Sequence, residues 1–577
     1  MQMLTRETVP EITRAPLHRS SHAMRVDVVG VSREVRGGTK LLNNVTLSVL
    51  PGELVAIVGG SGAGKTTLLN TMAGVTAPSS GHVLYNGRDL YKNLDEFRST
   101  LGYVPQDDII HRDLPLATTL RYAARLRLPS DSTAQEEELA VQDAIDVLGL
   151  GERAHLPVKK LSGGQRKRAS IAVELLTKPR VFFLDEPTSG LDPATSNALM
   201  RALRRLADAG STIVFTTHVI QDLRLSDKVI FLARDGHLAF CGPPDTALQY
   251  FGASSFDEIY ESLANGRSPE EWGNRFRVSE HYTNGQHRDD GGLQSRGASQ
   301  RPPGSFEQWL VLTRRNFDIL WRSPLTLAIL VGSPLMVIAM FAMLFKGGAF
   351  DRQSLNPNAA IMIMFWVAFG AFFFGLTYGL LQICTEFSIF SRERLVNLRI
   401  LPYVGSKIVV LGPLLVLVCV LMLGALRAFD RLPPLGFETY AEMSFTLVLS
   451  AFAALTLGLL TSALVSNTEQ AMVAMPMLCF PQCLFAGAIV PVPAMAFLGK
   501  AMSALMSDRW SFESLGGSIG LNELILGDGS PSGELLLAQY GDSFSGSIVE
   551  TWLILGAFTV AFTAATCLVL KRKSLSS

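Results

Sequence analysis

The feature that most restricts what this chain can become is a set of six apolar runs in its second half. They lie near residues 324–345, 359–381, 408–426, 445–465, 471–490 and 548–570. At about 1.5 Å per residue, each is long enough to cross a hydrocarbon layer of about 30 Å as a helix. Buried core helices account for apolar runs of about ten to fourteen residues, so six longer ones point to a polytopic, all-α membrane region with six transmembrane helices. Composition agrees: 18% of the residues are charged and 48% hydrophobic, where soluble proteins carry about a quarter charged. Disordered and collagen-like chains are excluded.

Basic residues orient the spans. Arg314, Arg315 and Arg322 precede the first, Arg392, Arg394, Arg399 and Lys407 separate the second and third, and Lys571, Arg572 and Lys573 follow the sixth. Lys and Arg accumulate on cytosolic loops, so both termini are expected in the cytosol and the protein in the plasma membrane. The first residues are polar and lack an apolar core, so no secretory signal peptide is expected. The segment at 491–547 is then the longest outside loop.

With 577 residues there is room for about two to four domains. After a polar tail at 1–23, residues 24–252 alternate short apolar runs with helical stretches, the pattern of a soluble α/β domain. Residues 253–304 turn rich in Gly, Ser, Asn and Arg and predict a flexible linker. Residues 305–323 carry Phe306, Trp309, Leu310, Phe317, Leu320 and Trp321 near helical spacing, with Arg314 and Arg315 between them, which predicts an interfacial amphipathic helix. The membrane domain spans 324–573 and a short tail closes the chain at 574–577.

Lys plus Arg equals Asp plus Glu at 51 each, so no basic field attracts nucleic acid and none is expected as a partner. Of the six cysteines, Cys384, Cys419, Cys479, Cys483 and Cys567 fall in or beside apolar runs and read as packed thiols. Cys479 and Cys483 would share a helix face, but no His or further Cys stands nearby to complete a metal site.

The soluble domain carries the chemistry. Gly59-Gly60-Ser61-Gly62-Ala63-Gly64-Lys65-Thr66 fits a phosphate-binding loop, follows an apolar run at 54–58 and precedes a helical stretch opening at Thr67. Glycines let backbone N–H groups turn inward on phosphate oxygens, Lys65 reaches the β/γ phosphates and the Thr66 hydroxyl reaches Mg²⁺. The run Val181-Phe182-Phe183-Leu184 ends in Asp185 and Glu186, where a Walker B pair belongs: Asp185 supports Mg²⁺ through water and Glu186 polarises the attacking water.

About twenty residues before that strand stands Leu161-Ser162-Gly163-Gly164-Gln165. Alone it is a serine-capped helix start; with the Walker pair it is the signature of the ABC transporter ATPases, and the chain resembles that family. The resemblance implies a P-loop ABC ATPase fold, ATP and Mg²⁺ as cofactors, and roles for three further elements. Gln106 becomes the Q-loop glutamine and a contact to Mg²⁺, Ser189-Gly190-Leu191-Asp192 the D-loop, and His218 the switch histidine. An aromatic that stacks on adenine is expected near 33–36, and Arg33-Glu34-Val35-Arg36 contains none.

An ATPase followed by six spans in one chain resembles the G subfamily of half-transporters and its bacterial relatives. That implies a dimer, with a second copy of the chain or a related one, in which one protomer's phosphate loop faces the other's signature. Residues 386–403, with Arg392-Glu393-Arg394, are the expected coupling element. Span two holds Phe365, Trp366, Phe369, Phe372, Phe373 and Phe374, and span five Pro476, Phe480, Pro481 and Phe485. In G-type relatives these spans line the central path, which implies a hydrophobic or amphipathic cargo: a lipid, a lipid-linked glycan or a drug. An exporter of a polar solute, and a membrane-anchored regulatory or mechanotransmitting ATPase, are the alternatives.

Overall fold

Residues 24–35, 37–282, 302–351, 356–527, 536 and 538–576 are described in the computed structural model. They fall into two units, Met1–Ile110 with Arg127–Arg301, and His111–Leu126 with Pro302–Ser577. The tail at 1–23 and the linker residues 283–301 lie outside the described residues.

The first unit holds two sheets. Strands β1 (Val26–Glu34), β2 (Lys40–Val49), β4 (Ser80–Tyr85) and β5 (Arg88–Asp89) form an antiparallel sheet in the order β2-β1-β4-β5. Strands β3 (Leu54–Gly59), β6 (Leu101–Val104), β7 (Val181–Leu184), β8 (Thr212–Thr216), β9 (Lys228–Ala233) and β10 (His237–Gly242) form the second, ordered β10-β9-β3-β8-β7-β6. Its pairs are parallel except β10 with β9. Every residue of β3, β7 and β8 is buried, as a parallel sheet covered on both faces requires. The carboxyl ends of β3 and β7 carry the phosphate loop and the Walker B pair, where open α/β sheets place ligands.

The helices that matter below are α1 (Lys65–Met72), α2 (Leu116–Arg127), α3 (Gly163–Leu175), α4 (Pro193–Asp208), α5 (Ser305–Trp321), α6 (Pro324–Leu344), α7 (Pro357–Leu380), α8 (Phe387–Leu395), α9 (Ile400–Ala428), α10 (Phe437–Leu464), α11 (Thr468–Phe485), α12 (Phe497–Ala504), α13 (Ser507–Ser518) and α14 (Ile548–Ser576).

The expected linker begins too early. Phe256–Asn265 and Pro269–Arg277 are helices, capped by the Ser255 and Ser268 side chains. They bury Ile259, Trp272 and Phe276, with Trp272 and Phe251 rings 5.1 Å apart. Each helix offers only a few core-facing residues among polar ones, so composition alone reads them as linker.

In the second unit, five helices among the described residues are long and apolar enough to cross a membrane: α6 from Thr326, α7, α9, α10, and α14 to Ser574. The run expected at 471–490 is α11, an 18-residue helix that ends at Phe485 and is not among those five. Thr468, Glu469, Gln470, Gln482 and the internal Pro476 and Pro481 dilute its apolar content. Packing nevertheless gives α11 a direction. Helices α10 and α14 run parallel, because Trp552 Nε1 donates to Thr446 Oγ1 at 2.9 Å near their amino ends, while Lys573 Nζ donates to the carbonyls of Ala463 and Val465 near their carboxyl ends. Helix α11 starts just after the carboxyl end of α10, and its Gln482 accepts from the Asp508 amide of α13 at 3.0 Å. Helix α13 reaches the amino half of α10 through Ser511 to Ser450 at 3.2 Å.

Glycines bring α7 and α10 to backbone contact: a Cβ at Gly375, Gly379 or Gly458 would stand 2.1, 2.3 and 2.6 Å from the carbonyls of Ala451, Leu455 and Leu376. Small residues at helix interfaces in membranes serve this close approach. One expectation changes here. Phe365, Phe372 and Phe374 are packed inside the unit, whereas Phe480 on α11 is 70% exposed with Met472, Val473 and Met477 beside it. In α5, Phe306, Phe317 and Trp321 point outward, as an interfacial helix requires, while Gln308, Val311, Leu312, Arg315 and Asn316 are buried.

Candidate functional site: a phosphate loop and its carboxylates

The loop between β3 and α1 needs glycine where it turns. Gly64 has φ +89°, and a Cβ there would sit 2.5 Å from the Leu41 carbonyl; Gly62 has φ +76°. At Gly60 and Gly62 an added Cβ meets nothing, so the lip of the loop is open. Ala63 is buried, and its amide donates to the Gly60 carbonyl at 3.2 Å. Ser61 is exposed, and Thr67 lies in the first turn of α1.

Lys65 Nζ donates to the carbonyls of Gly59 and Gly60 at 2.9 and 3.0 Å, so its ammonium lies in the loop's mouth. Partial burial lowers its pKa, and the nearby Glu186 and Asp185 oppose that. Asp185 is buried and accepts from Thr66 Oγ1 at 3.2 Å and Thr216 Oγ1 at 2.5 Å. The Walker B carboxylate and the hydroxyl expected at the metal therefore share a hydrogen bond. The donor set is all oxygen, which suits Mg²⁺.

Glu186 sits in the left-handed region at φ +45°, a conformation costly for a non-glycine residue. Its amide is held by Thr216 Oγ1 at 2.8 Å. Gln106 Nε2 donates to Glu186 Oε2 at 3.2 Å, and His218 Nδ1 lies 3.6 Å from Glu186 Oε1. The segment bearing His218 is braced by Asp222, which accepts from Thr188 and Thr217 at 2.7 and 2.9 Å. Burial raises the Asp222 pKa, and the two hydroxyls counter it.

Ser162 caps α3: its Oγ accepts from the Gln165 amide, and Gln165 Oε1 accepts from the Ser162 amide at 3.0 Å. Ser162 and Gly163 are exposed, while Leu161 is buried. No hydrogen bond joins this signature segment to the phosphate loop among the described residues. The D-loop does reach it: a Cβ at Gly164 would meet Leu191 Cδ2 at 2.9 Å. After Ser189 and Gly190 at φ +72°, Asp192 caps α4 by accepting from the Thr195 amide at 3.0 Å.

Two groups of residues escape the sequence reading. Lys167, on α3, is buried and donates to the carbonyls of Gln106 and Pro105 at 2.6 and 3.2 Å. In the second unit, residues just past the Q-loop meet the expected coupling element. Leu126 packs with Val311, Leu312, Phe390 and Tyr403, and Tyr122 donates to Asp318 at 2.6 Å. Arg315 grips Glu393 through two hydrogen bonds at 2.5 and 3.1 Å. Glu386 pairs with Lys407 and accepts from Tyr403 at 2.9 Å. Burial pushes His111 down to about 4, with Arg315 adding to the effect. The only sequence signal for this cluster is that charges stand inside an otherwise apolar stretch.

Comparison with known proteins agrees with this geometry. Residues 42–189 match the ABC transporter domain and residues 307–518 the ABC-2 type transporter domain. An ABC transporter ATP-binding/permease protein, Rv1747 of Mycobacterium tuberculosis, is 32% identical over 532 residues, covering 88% of this chain and 59% of that protein. The broad substrate specificity transporter ABCG2 of Bos taurus is 41% identical over 226 residues, 38% of this chain and 34% of that protein. ABC transporter G family member 22 of Arabidopsis thaliana is 41% identical over 245 residues, 39% and 32% respectively. The chain thus spans between about a third and three-fifths of the length of these relatives. The chain belongs to the ABC transporters, with an ABC ATPase domain preceding an ABC-2 type membrane domain as in the G-type half-transporters.

Proposed function

We propose that this chain hydrolyses ATP as a dimer of two like protomers and uses the cycle to export a hydrophobic or amphipathic cargo across the plasma membrane. The observation that carries the reading is the convergence of Gln106 and His218 on Glu186, beside Lys65 and the Thr66–Asp185 pair. The open glycine lip and the Lys65 ammonium suit a triphosphate, and Thr66, Gln106 and Asp185 suit its Mg²⁺. Bound nucleotide and metal supply a phosphoryl group open to attack by water.

Everything else in the mechanism belongs to the chain. Lys65 exchanges its two carbonyl partners for phosphate oxygens. Glu186 takes the proton of the water that Gln106 and His218 position. Ser162 and the amides of Gly163 and Gly164, at a helix amino terminus, close over the γ-phosphate of the opposite protomer. Leu161, Gln165 and the D-loop residues Ser189, Gly190, Leu191 and Asp192 hold that segment in place.

Six crossings, with α11 as the fifth, fit the parallel run of α10 and α14 with one crossing between them, and they leave both termini on the cytosolic side. The exposed Met472, Val473, Met477 and Phe480 of α11 favour an apolar path, and Trp366, Phe369 and Phe373 of α7 are half-buried. A Cys placed at Ser61 and another at Ser162 test the dimer: a disulfide between two copies supports it, and bonding only within one chain rejects it. Reconstitution in lipid vesicles tests the cargo. Lipids or drugs that raise the ATPase rate and cross the bilayer support export, whereas turnover with no cargo moved favours a regulatory ATPase.

A further inference from the structure

Asp508 is a buried ionisable group that the proposed ATPase cycle leaves unused. It lies in the first turn of α13, between the last two apolar runs, in a segment the sequence places outside. The residue is fully buried, and neither carboxylate oxygen has a hydrogen-bond partner among the described residues. Only its backbone is held: its amide donates to Gln482 Oε1 of α11 at 3.0 Å, and its carbonyl accepts from Ser511 Oγ at 3.0 Å. Around α13 the packing is uncharged, with Phe512 against Phe365 and Phe544 at ring distances of 6.2 and 5.5 Å and the buried hydroxyls of Ser511 and Ser514 turned to Ser450 and Thr446 of α10. An ionised carboxylate in such a place, with no donor, gives up its charge rather than remain. Burial accordingly pushes the Asp508 carboxyl well above the usual carboxylate range.

The neighbouring elements offer no counter-charge. Cys479 and Cys483 of α11 lie within electrostatic range of Asp508. On α13 itself Arg509 is committed to Glu513 at 3.1 Å. Helix α7 offers only Tyr378, whose hydroxyl donates to the Leu330 carbonyl. Glu442 of α10 is half-buried, and Glu438 of α10, Glu469 of α11, Lys500 of α12, Glu523 and Glu550 are exposed. None of them hydrogen-bonds the Asp508 carboxylate. Among the described residues no three His, Cys, Asp or Glu side chains are placed to hold a metal ion, so the acceptor that remains suits a proton.

We propose that Asp508 is a proton-binding site at the α11–α13 contact, loaded while that contact is closed and released to water when it opens. On opening, the O–H bond breaks, the proton goes to solvent and the carboxylate is hydrated; closing reverses this. The inference rests on the reading of the chain as an exporter whose helices move, but the protonation itself is measured apart from turnover. The sign follows from linkage: the closed form binds the extra proton, so between the wet and the dry pKa each rise of one pH unit weakens the closed form about tenfold.

The test uses the full chain in lipid nanodiscs. Infrared spectroscopy at neutral pH is expected to show the carbonyl band of a protonated carboxyl that Asp508→Asn removes and Asp508→Glu shifts. Spin labels at Met477 of α11 and Trp510 of α13, followed across about pH 5 to 8, are expected to report a closed-to-open ratio that falls about tenfold per unit, a slope absent in Asp508→Asn and kept in Asp508→Glu. A spectrum in which Asp508→Asn removes no such band, or an unchanged pH slope in that variant, overturns the proposal. Absence of ATPase activity in the unmutated chain, with the band present, would count against the exporter reading alone.

Discussion

Lys167 Nζ donates to the Gln106 carbonyl at 2.6 Å, which ties the first turns of the signature helix to the loop that presents the Q-loop side chain. In a dimer, Gln106 would serve its own protomer's nucleotide and Ser162 the partner's. Lys167 is then a positioning residue between the two sites. Lys167→Met leaves two carbonyls without their buried donor, and hydrolysis is expected to fall about tenfold, or about 1.4 kcal/mol in the barrier. ATP affinity should hold, and Lys167→Arg should recover most of the rate. Nucleotide titration beside steady-state ATPase assays decides it; a loss of affinity like that of a Lys65 variant would reject the positioning role.

Glu186→Gln keeps shape and hydrogen-bonding reach but removes basicity. ATP is expected to bind and draw the ATPase domains together while hydrolysis falls by about a hundredfold or more. Lys65→Ala removes the ammonium from the loop mouth and should lose ATP binding and stay open. Distances between paired spin labels with ATP and Mg²⁺ separate the two inactive proteins. Equal open distances in both would withdraw the roles given to Glu186 and Lys65.

The buried His111 makes stability depend on pH. Its pKa drops from 6.5 to about 4 on folding, so the unfolded chain binds the proton first and stability is lost as pH falls between those values. Glu386 pairs with Lys407, and despite burial its pKa is lowered from 4.5 to about 2. Its own loss therefore begins only below about pH 4.5. His111→Phe should flatten the fall in apparent melting temperature between about pH 6.5 and 4.5, a term on the order of 3 kcal/mol. An unchanged slope would show that other groups titrate there.

Val35, at the tip of the β1–β2 hairpin, stands where an adenine-stacking aromatic is expected, and it is 38% exposed. Such stacking is worth about 0.5 to 1.5 kcal/mol, so GTP should compete with ATP to within about tenfold. Competition binding measures this directly, and a thousandfold preference would mean that a ring from elsewhere in the fold supplies the stack.

The nucleotide site was legible because its chemistry is local. A glycine turn, a lysine opening a helix and two carboxylates closing a buried strand are each spelled out in consecutive residues, and parallel pairing of β3, β8 and β7 brings them together. The helices at 256–277 were missed because few of their residues face the core. Helix α11 was legible as an apolar run, but its ends were not, since Pro476, Pro481 and Gln482 blur the pattern.

What the sequence determined by itself was the class of each half: six apolar runs require lipid, and the phosphate loop with its signature requires a nucleotide-binding α/β sheet. What the tertiary structure decided was the environment of single polar side chains. Arg315 and Arg314 are adjacent in sequence, yet Arg315 is buried on Glu393. Asp508 and Arg509 are adjacent too, and only Asp508 is left without a partner in a dry site. Charge, burial and pKa depend on which side of a helix faces which neighbour, and that is fixed by packing between residues distant in the chain rather than by the residues themselves.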